Sequence, residues 1–240
     1  MYKDLYVIGC GGVGSALVPF LCRWNNHTKT YSSITLIDGD KVEDKNLERQ
    51  NFSENGVGEF KSEVLKSRCK EDGIAETYRL EVVTEYINEK VLAKLVNERN
   101  INHFVIAVDN SKTKAEINNL HNKLNDSVII MPANGYDTFD CHIAIRKNGV
   151  NITPDITYMQ PDIETPKDKS PLEMSCEEAA ESFPQLIFAN MGAATWGALT
   201  IYALNNDKDF KPFRALYGHA GSVSFRRAEY PDDVLVHVDN

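Results

Sequence analysis

The sequence lacks any C-x-x-C pair. Its five cysteines, Cys10, Cys22, Cys69, Cys141 and Cys176, are odd in number and widely scattered. That excludes a structural zinc site of the usual spacing and argues against a disulfide framework. Positive charge is in deficit, with 26 Lys and Arg against 35 Asp and Glu and a net charge of −9. Such a surface suits neither nucleic acid nor an anionic membrane, so any anionic ligand must be met by a local cluster of donors. Long apolar runs are missing too: "ALTIYAL" and its like are too short to span a bilayer. The opening "MYKDLYVIGC" has no apolar region followed by a cleavage site, so a cytoplasmic protein is expected. Repeats, low-complexity tracts and a clear internal boundary are absent. What remains is 42% hydrophobic and 25% charged, the composition of an ordinary globular chain with ample core.

The order of apolar segments names an architecture. "LYVIGC", "SITLID", "TYRLEVV", "HFVIAVD" and "SVIIMPA" read as five strands. Between them, "GSALVPFLCRW", a stretch from about Val57 to Glu71, "NEKVLAKLVNER" and "SKTKAEINNLHNKL" read as helices. Strands alternating with helices predict right-handed βαβ units and an α/β fold, with a doubly wound, mainly parallel, Rossmann-like sheet. The pattern then changes. "DCHIAIRKNG" alternates like an antiparallel strand, a polar connection comes next, a helix runs from about Phe188 to Asn205, and "FRALYGHAGSVSFRRAE" reads as a final hairpin. One domain over residues 1–240 is expected, with a nucleotide-binding part over about 1–135 and an elaborated part over about 136–240. Cys10, Cys22, Cys69 and Cys141 fall in predicted strands and helices and read as packing residues. His103 and His142 read as packed histidines, His219 lies in a predicted turn, and Arg226 and Arg227 read as solvated edge charges.

The turn "GCGGVG", with Gly9, Gly11, Gly12 and Gly14, follows a strand and opens a helix. In that context it offers a phosphate close backbone approach and the free N–H groups of a helix N-terminus. Asp38 closes the second strand where a carboxylate can accept ribose hydroxyls, which serves NAD and ATP equally well. The residues after Asp38 discriminate between the two. Asp40, Asn46, Arg49, Gln50 and Lys61 supply more polar machinery than a dinucleotide needs, whereas releasing pyrophosphate from a triphosphate requires its charge to be neutralised. Arg49 can fork onto phosphate oxygens, and Lys61 brings a point charge. Asp109, in "VIAVDN" at the end of the fourth strand, makes sense facing phosphates as a magnesium ligand.

These segments carry a resemblance. "GCGGVGS", "DGDKVEDKNLERQNF", "VGEFKSEV" and "AVDNSKTKAEIN" resemble the ThiF/MoeB family of adenylating enzymes, relatives of ubiquitin-activating enzymes. Five elements of the family pattern stand in order over roughly the first half of the chain. The later "SCEEAAESFPQLIFANMGAATWGALTIYAL" is similar to a ThiF-like branch of the bacterial plasmid gene cluster called PRTRC. The resemblance implies ATP and Mg2+ as cofactors. It implies a ubiquitin-like or sulfur-carrier partner whose C-terminal glycine carboxylate is adenylated with release of pyrophosphate. It places the glycine turn against the nucleotide, Asp38 on the ribose, Asn46, Arg49, Gln50 and Lys61 on the phosphates, and magnesium on Asp109. It also implies a homodimer, to which the small residues Ala189, Gly192, Ala193, Ala194, Gly197 and Ala198 of "LIFANMGAATWGALTIYAL" would allow close helix packing, though a buried intrachain helix would look the same. Cys176, ahead of a predicted helix, stands where relatives carry a sulfur-bearing cysteine on a crossover loop, as a candidate thioester nucleophile. Its neighbours Glu177 and Glu178 oppose the thiolate that a helix N-terminus favours.

Three family features are missing. No helix bearing an arginine precedes the first strand, where only Lys3 stands; the paired zinc motif is gone; and "VLVHVDN" has no terminal Gly-Gly, so the partner is expected in trans. Two other readings stay open on the residues. One is a non-catalytic ThiF-fold partner of a ubiquitin-like protein, which would be expected to lose some of Arg49, Lys61 and Asp109. The other is an NAD-dependent oxidoreductase, for which no hydride-transfer acid or base is visible.

Overall fold

A computed structural model describes residues 2–169 and 186–236. Among them, nine strands form one sheet in the order β3-β2-β1-β4-β5-β6-β8-β9, with β7 paired to β6. The parallel half comprises β1 (Lys3–Ile8), β2 (Ser33–Ile37), β3 (Arg79–Val83), β4 (Ile101–Ile106) and β5 (Ser127–Asn134). The antiparallel half comprises β6 (Thr138–Lys147), β7 (Val150–Asn151), β8 (Phe213–His219) and β9 (Ser224–Glu229). The expected mainly parallel α/β sheet with antiparallel C-terminal strands is therefore what forms.

Both faces of the sheet are covered, which is why its central strands read as continuous apolar runs. Along β1, Leu5 and Val7 point to one face and Tyr6 and Ile8 to the other, and all four are buried. The first face packs on α1 (Gly12–Thr28), α2 (Lys61–Glu71) and α5 (Ile187–Asn206), and the second on α3 (Glu89–Leu95) and α4 (Ser111–His121). Cys10, Cys22, Cys69 and Cys141 are buried packing residues, as expected. His103 is enclosed, its Nδ1 2.7 Å from the Tyr31 hydroxyl, and burial pushes its pKa down to about 3. It sits in the core as a neutral ring. His142 is likewise buried, against the Arg214 carbonyl at 3.0 Å.

Two helix boundaries differ from the sequence reading. The helix expected from Val57 starts at Lys61, because Val57 and Phe60 are held in bridges with Val42 and Lys41 and Gly58 turns at φ 89°. The third helix stops at Leu95, whose carbonyl accepts the Tyr6 hydroxyl at 3.1 Å, and Val96 is already extended. The small residues of α5 serve intrachain packing. Ala189, Ala193, Ala194 and Gly197 are buried, and a Cβ on Gly197 would meet Pro132 at 3.3 Å and Leu17 at 3.6 Å. At 20 residues and mean hydropathy 1.2, α5 is also long and apolar enough to cross a membrane, contrary to the reading from "ALTIYAL" alone. A core helix meets the same criterion, and α5 lies on α1, β5 and β6. Its other side leaves Phe188, Met191, Leu199 and Tyr202 exposed, and Phe20 of α1 is 69% exposed.

Candidate functional site

The chain runs from β1 outward to β2 and β3, then returns to the other side of β1 at β4. The crevice beyond the carboxyl ends of β1 and β4 is therefore the switch point where parallel sheets bind ligands. Ile8 is in register with both Ile37 and Ile106, so the segments leaving β1, β2 and β4 emerge side by side. They carry the glycine turn, Asp38 and Asp109.

Gly9, Gly11, Gly12 and Gly14 form the turn into α1. At Gly9, φ is 94° and a Cβ would lie 2.5 Å from the Ala107 carbonyl oxygen, so glycine alone fits between β1 and the strand end beside it. Asp38 braces the turn. Its Oδ2 accepts the Cys10 N–H at 2.6 Å and its Oδ1 accepts the Asp40 N–H at 2.8 Å. Burial raises its pKa, and Lys61 opposes that rise.

Lys61 opens α2 almost fully buried, with Nζ 2.8 Å from Asp40 Oδ2. Tyr86, just past β3, donates its hydroxyl to the other Asp40 oxygen. Burial pushes the Asp40 carboxyl up, but the Lys61 charge and these two hydrogen bonds hold it below its ordinary value. Between Asp40 and α2 the segment from Asn46 to Asn51 folds over the first turns of α1. Asn46 is buried, its Oδ1 accepting the Glu43 N–H at 3.0 Å and its carbonyl accepting the N–H groups of Arg49 and Gln50. Gln50 is buried with Oε1 lacking a donor. Asn51 docks the segment on α1, its N–H bonding the Ser15 hydroxyl at 3.0 Å.

Asp109 is exposed in the loop after β4, and Asn110 caps α4 by accepting the Thr113 N–H at 2.9 Å. No group of three or more His, Cys, Asp or Glu among the described residues could hold a metal. A magnesium–triphosphate complex needs no such cage. It takes one or two protein carboxylates, the rest of its shell being phosphate oxygens and water, so the exposed Asp109 carboxylate fits it.

Four contributors escaped the sequence reading. Tyr86 is one. Lys114 of α4 is a second: it is buried with Nζ 3.2 Å from Gln160 Oε1, and its burial lowers its pKa while Asp109, Asp140, Asp162 and Asp168 raise it. Asp168 is a third. Its carboxylate accepts the first N–H groups of α4, those of Ser111 at 2.6 Å and Lys112 at 3.1 Å. The fourth is Asn190 of α5, whose Nδ2 donates to the Arg49 carbonyl at 2.9 Å. The position of Lys114 on the helix just after Asp109 was the one readable signal; the other three depend on loops whose course is not periodic. Cys176, with Glu177 and Glu178, lies outside the described residues.

The ThiF family model matches residues 3–202. The chain belongs to the ThiF family. A search of curated protein sequences finds no match. Among solved structures, the ThiF chain is similar to PaaA, with TM-score 0.68 and 14% identity over 98% of this chain and 65% of that one. It is similar to E. coli MccB with ATP, with TM-score 0.65 and 18% identity over 97% of this chain and 66% of that one. The microcin C7 biosynthetic enzyme MccB in complex with N-formylated MccA gives TM-score 0.69 and 19% identity, over 94% and 64%. At these identities the likeness is one of fold. The chain spans just under two thirds of the length of the first of these structures.

Proposed function

We propose that this ThiF-family chain is an ATP-dependent adenylyltransferase acting on the C-terminal carboxylate of a partner protein. The observation that carries the reading is the convergence, at the carboxyl ends of the central strands, of the glycine turn, the Asp38–Asp40–Lys61 cluster, the Asn46–Gln50 segment and Asp109. The solved structures of MccB with ATP and with MccA support it as relatives of the same fold.

In this reading the turn and the α1 N-terminus take phosphate, Asp38 orients the ribose, and Arg49, Gln50, Asn46 and Lys61 hold the phosphates. Magnesium on Asp109 would supply further neutralisation. A carboxylate oxygen of the partner attacks the α-phosphorus, the bond from the α-phosphorus to the bridging oxygen breaks, and pyrophosphate leaves with that electron pair. Nucleophile and target are both anionic, so alignment and charge neutralisation account for most of the task. The carboxylate is already ionised, and no general base is required.

The test is a titration of the purified protein with ATP·Mg and with NAD, then exchange of labelled pyrophosphate into ATP with the partner present. ATP is expected to bind and NAD not to; tight NAD binding with none for ATP overturns the reading.

Three finer readings belong to the same proposal. The partner is a ubiquitin-like or sulfur-carrier protein ending in Gly-Gly, supplied in trans. Exchange that is supported equally well by a partner truncated of those glycines refutes that identity. Cys176 then receives the acyl group: its thiolate attacks the adenylate carbonyl, forming a thioester and releasing AMP. Cys176→Ala is expected to keep exchange yet lose a thiol-sensitive adduct on a non-reducing gel, and an adduct that persists removes the residue from the reaction. Finally, the exposed apolar side chains of α5 and Phe20 are covered by a second copy of the chain, since patches of this kind mark association surfaces. Light scattering should give twice the mass of one chain; a monomer at micromolar concentration counts against it.

A further inference from the structure

The turn contains one glycine more than phosphate binding asks for. In G-x-G-x-x-G the residue at Gly12 is unrestricted, yet here it is glycine, and the structure supplies a reason. A Cβ on Gly12 would lie 2.4 Å from Asn190 Nδ2 and 2.6 Å from its Oδ1, so the amide of Asn190 occupies the space that any other residue would fill. Asn190 is 1% exposed, in the first turn of α5. From there its Nδ2 reaches the Arg49 carbonyl at 2.9 Å, across 141 positions of chain. Its Oδ1 is buried without a donor, as is Oε1 of neighbouring Gln50.

The anchors of the Asn46–Asn51 segment differ in what they hold. Ser15 of α1 and Arg68 of α2 both bind Asn51, at 3.0 and 2.8 Å. The Asn190 contact falls on Arg49 itself. We infer that Asn190 is a positioning residue for Arg49: wedged against Gly12, it fixes the backbone from which the arginine reaches the phosphates and ties the start of α5 to the nucleotide. The inference rests on Arg49 as a phosphate ligand.

Calorimetry with ATP and magnesium chloride tests it on the full chain. Asn190→Ala is expected to weaken ATP binding about tenfold, a loss typical of misplacing one charged contact, with the thermal midpoint within a few degrees of wild type. Gly12→Ala, whose new methyl points at Asn190 and not at the crevice, is expected to give a similar loss. The double variant should bind no worse than the weaker single one, because the methyl then has room. Hydrogen exchange in the peptide containing Arg49 should quicken in Asn190→Ala, which decides the matter should Gly12→Ala fail to fold. Wild-type affinity together with unchanged exchange in Asn190→Ala overturns the inference alone, as does a loss that merely tracks the thermal midpoint. Absence of ATP binding by the wild type overturns the proposed function, and this inference with it.

Discussion

Lys61→Met is expected to lower pyrophosphate exchange by ~10²-fold or more, the range for removing one preorganised charge from a phosphoryl-transfer site. The side chain is 7% exposed and ion-paired to Asp40 at 2.8 Å, while Asp40 itself is 45% exposed. Removing the cation leaves two adjacent carboxylates facing each other. Because Asp40 is near water, the stability loss stays at the low end for breaking a pair, about 1–2 kcal/mol. The sign of its pH dependence comes from the two acids. Asp40 is held below its ordinary pKa by Lys61, so it contributes stability above the carboxylate range that is lost as pH falls through its folded pKa. Asp38 is already raised by burial, and without Lys61 it rises further, which weakens the fold at any pH where it must ionise. The Asp38 effect makes the deficit of Lys61→Met largest near neutrality and smaller as pH falls towards 4, whereas the Asp40 contribution is lost only below the ordinary carboxylate range. Urea midpoints of variant and wild type at pH 7 and 4.5 read that difference. Exchange within threefold of wild type, or a deficit that does not change with pH, removes Lys61 from the role assigned to it.

The same cluster shows what the sequence reading could reach. Strands β1, β2, β4 and β5 were legible because both faces of each are buried, which produces apolar runs bounded by glycine, aspartate or asparagine, whereas β3 at the sheet edge exposes Arg79 and Glu81. The turn at Gly9–Gly14 was legible because a backbone squeezed between strand ends excludes side chains, and that leaves a mark in composition. The Asn46–Gln50 segment was found as a motif, but not how it is held. Asn190 comes from α5 and Tyr86 from the loop after β3, and neither contact has a sequence period, because it arises only when the sheet is assembled. The start of α2 was misplaced for a related reason. Residues 57–60 have no strong helix breaker except Gly58, and it is pairing with Lys41 and Val42 that keeps them extended. The small residues of α5 could pack against a partner or against the same chain, and the sheet claims them first.

Asp109→Ala is expected to reduce exchange by ~10²-fold or more, since a bound divalent ion supplies several kcal/mol of charge stabilisation in such reactions. Asp109 is exposed and stands outside β4, so the fold should be unaffected within about 0.5 kcal/mol. One competing role has to be separated. Asp109 is the first of four acids that raise the pKa of buried Lys114, and its removal would also disturb that lysine. The two roles respond differently to magnesium. If Asp109 holds the ion, the variant's loss is greatest at low magnesium and shrinks as the concentration rises, because phosphate oxygens alone retain a weakened site. If it serves only as a counter-charge for Lys114, the loss is the same at every magnesium concentration, and Lys114→Met should reproduce it. Exchange rates across a magnesium titration for wild type, Asp109→Ala and Lys114→Met distinguish the cases. Full activity of Asp109→Ala throughout the titration excludes both roles, whereas a loss that does not vary with magnesium moves Asp109 from the metal to the lysine.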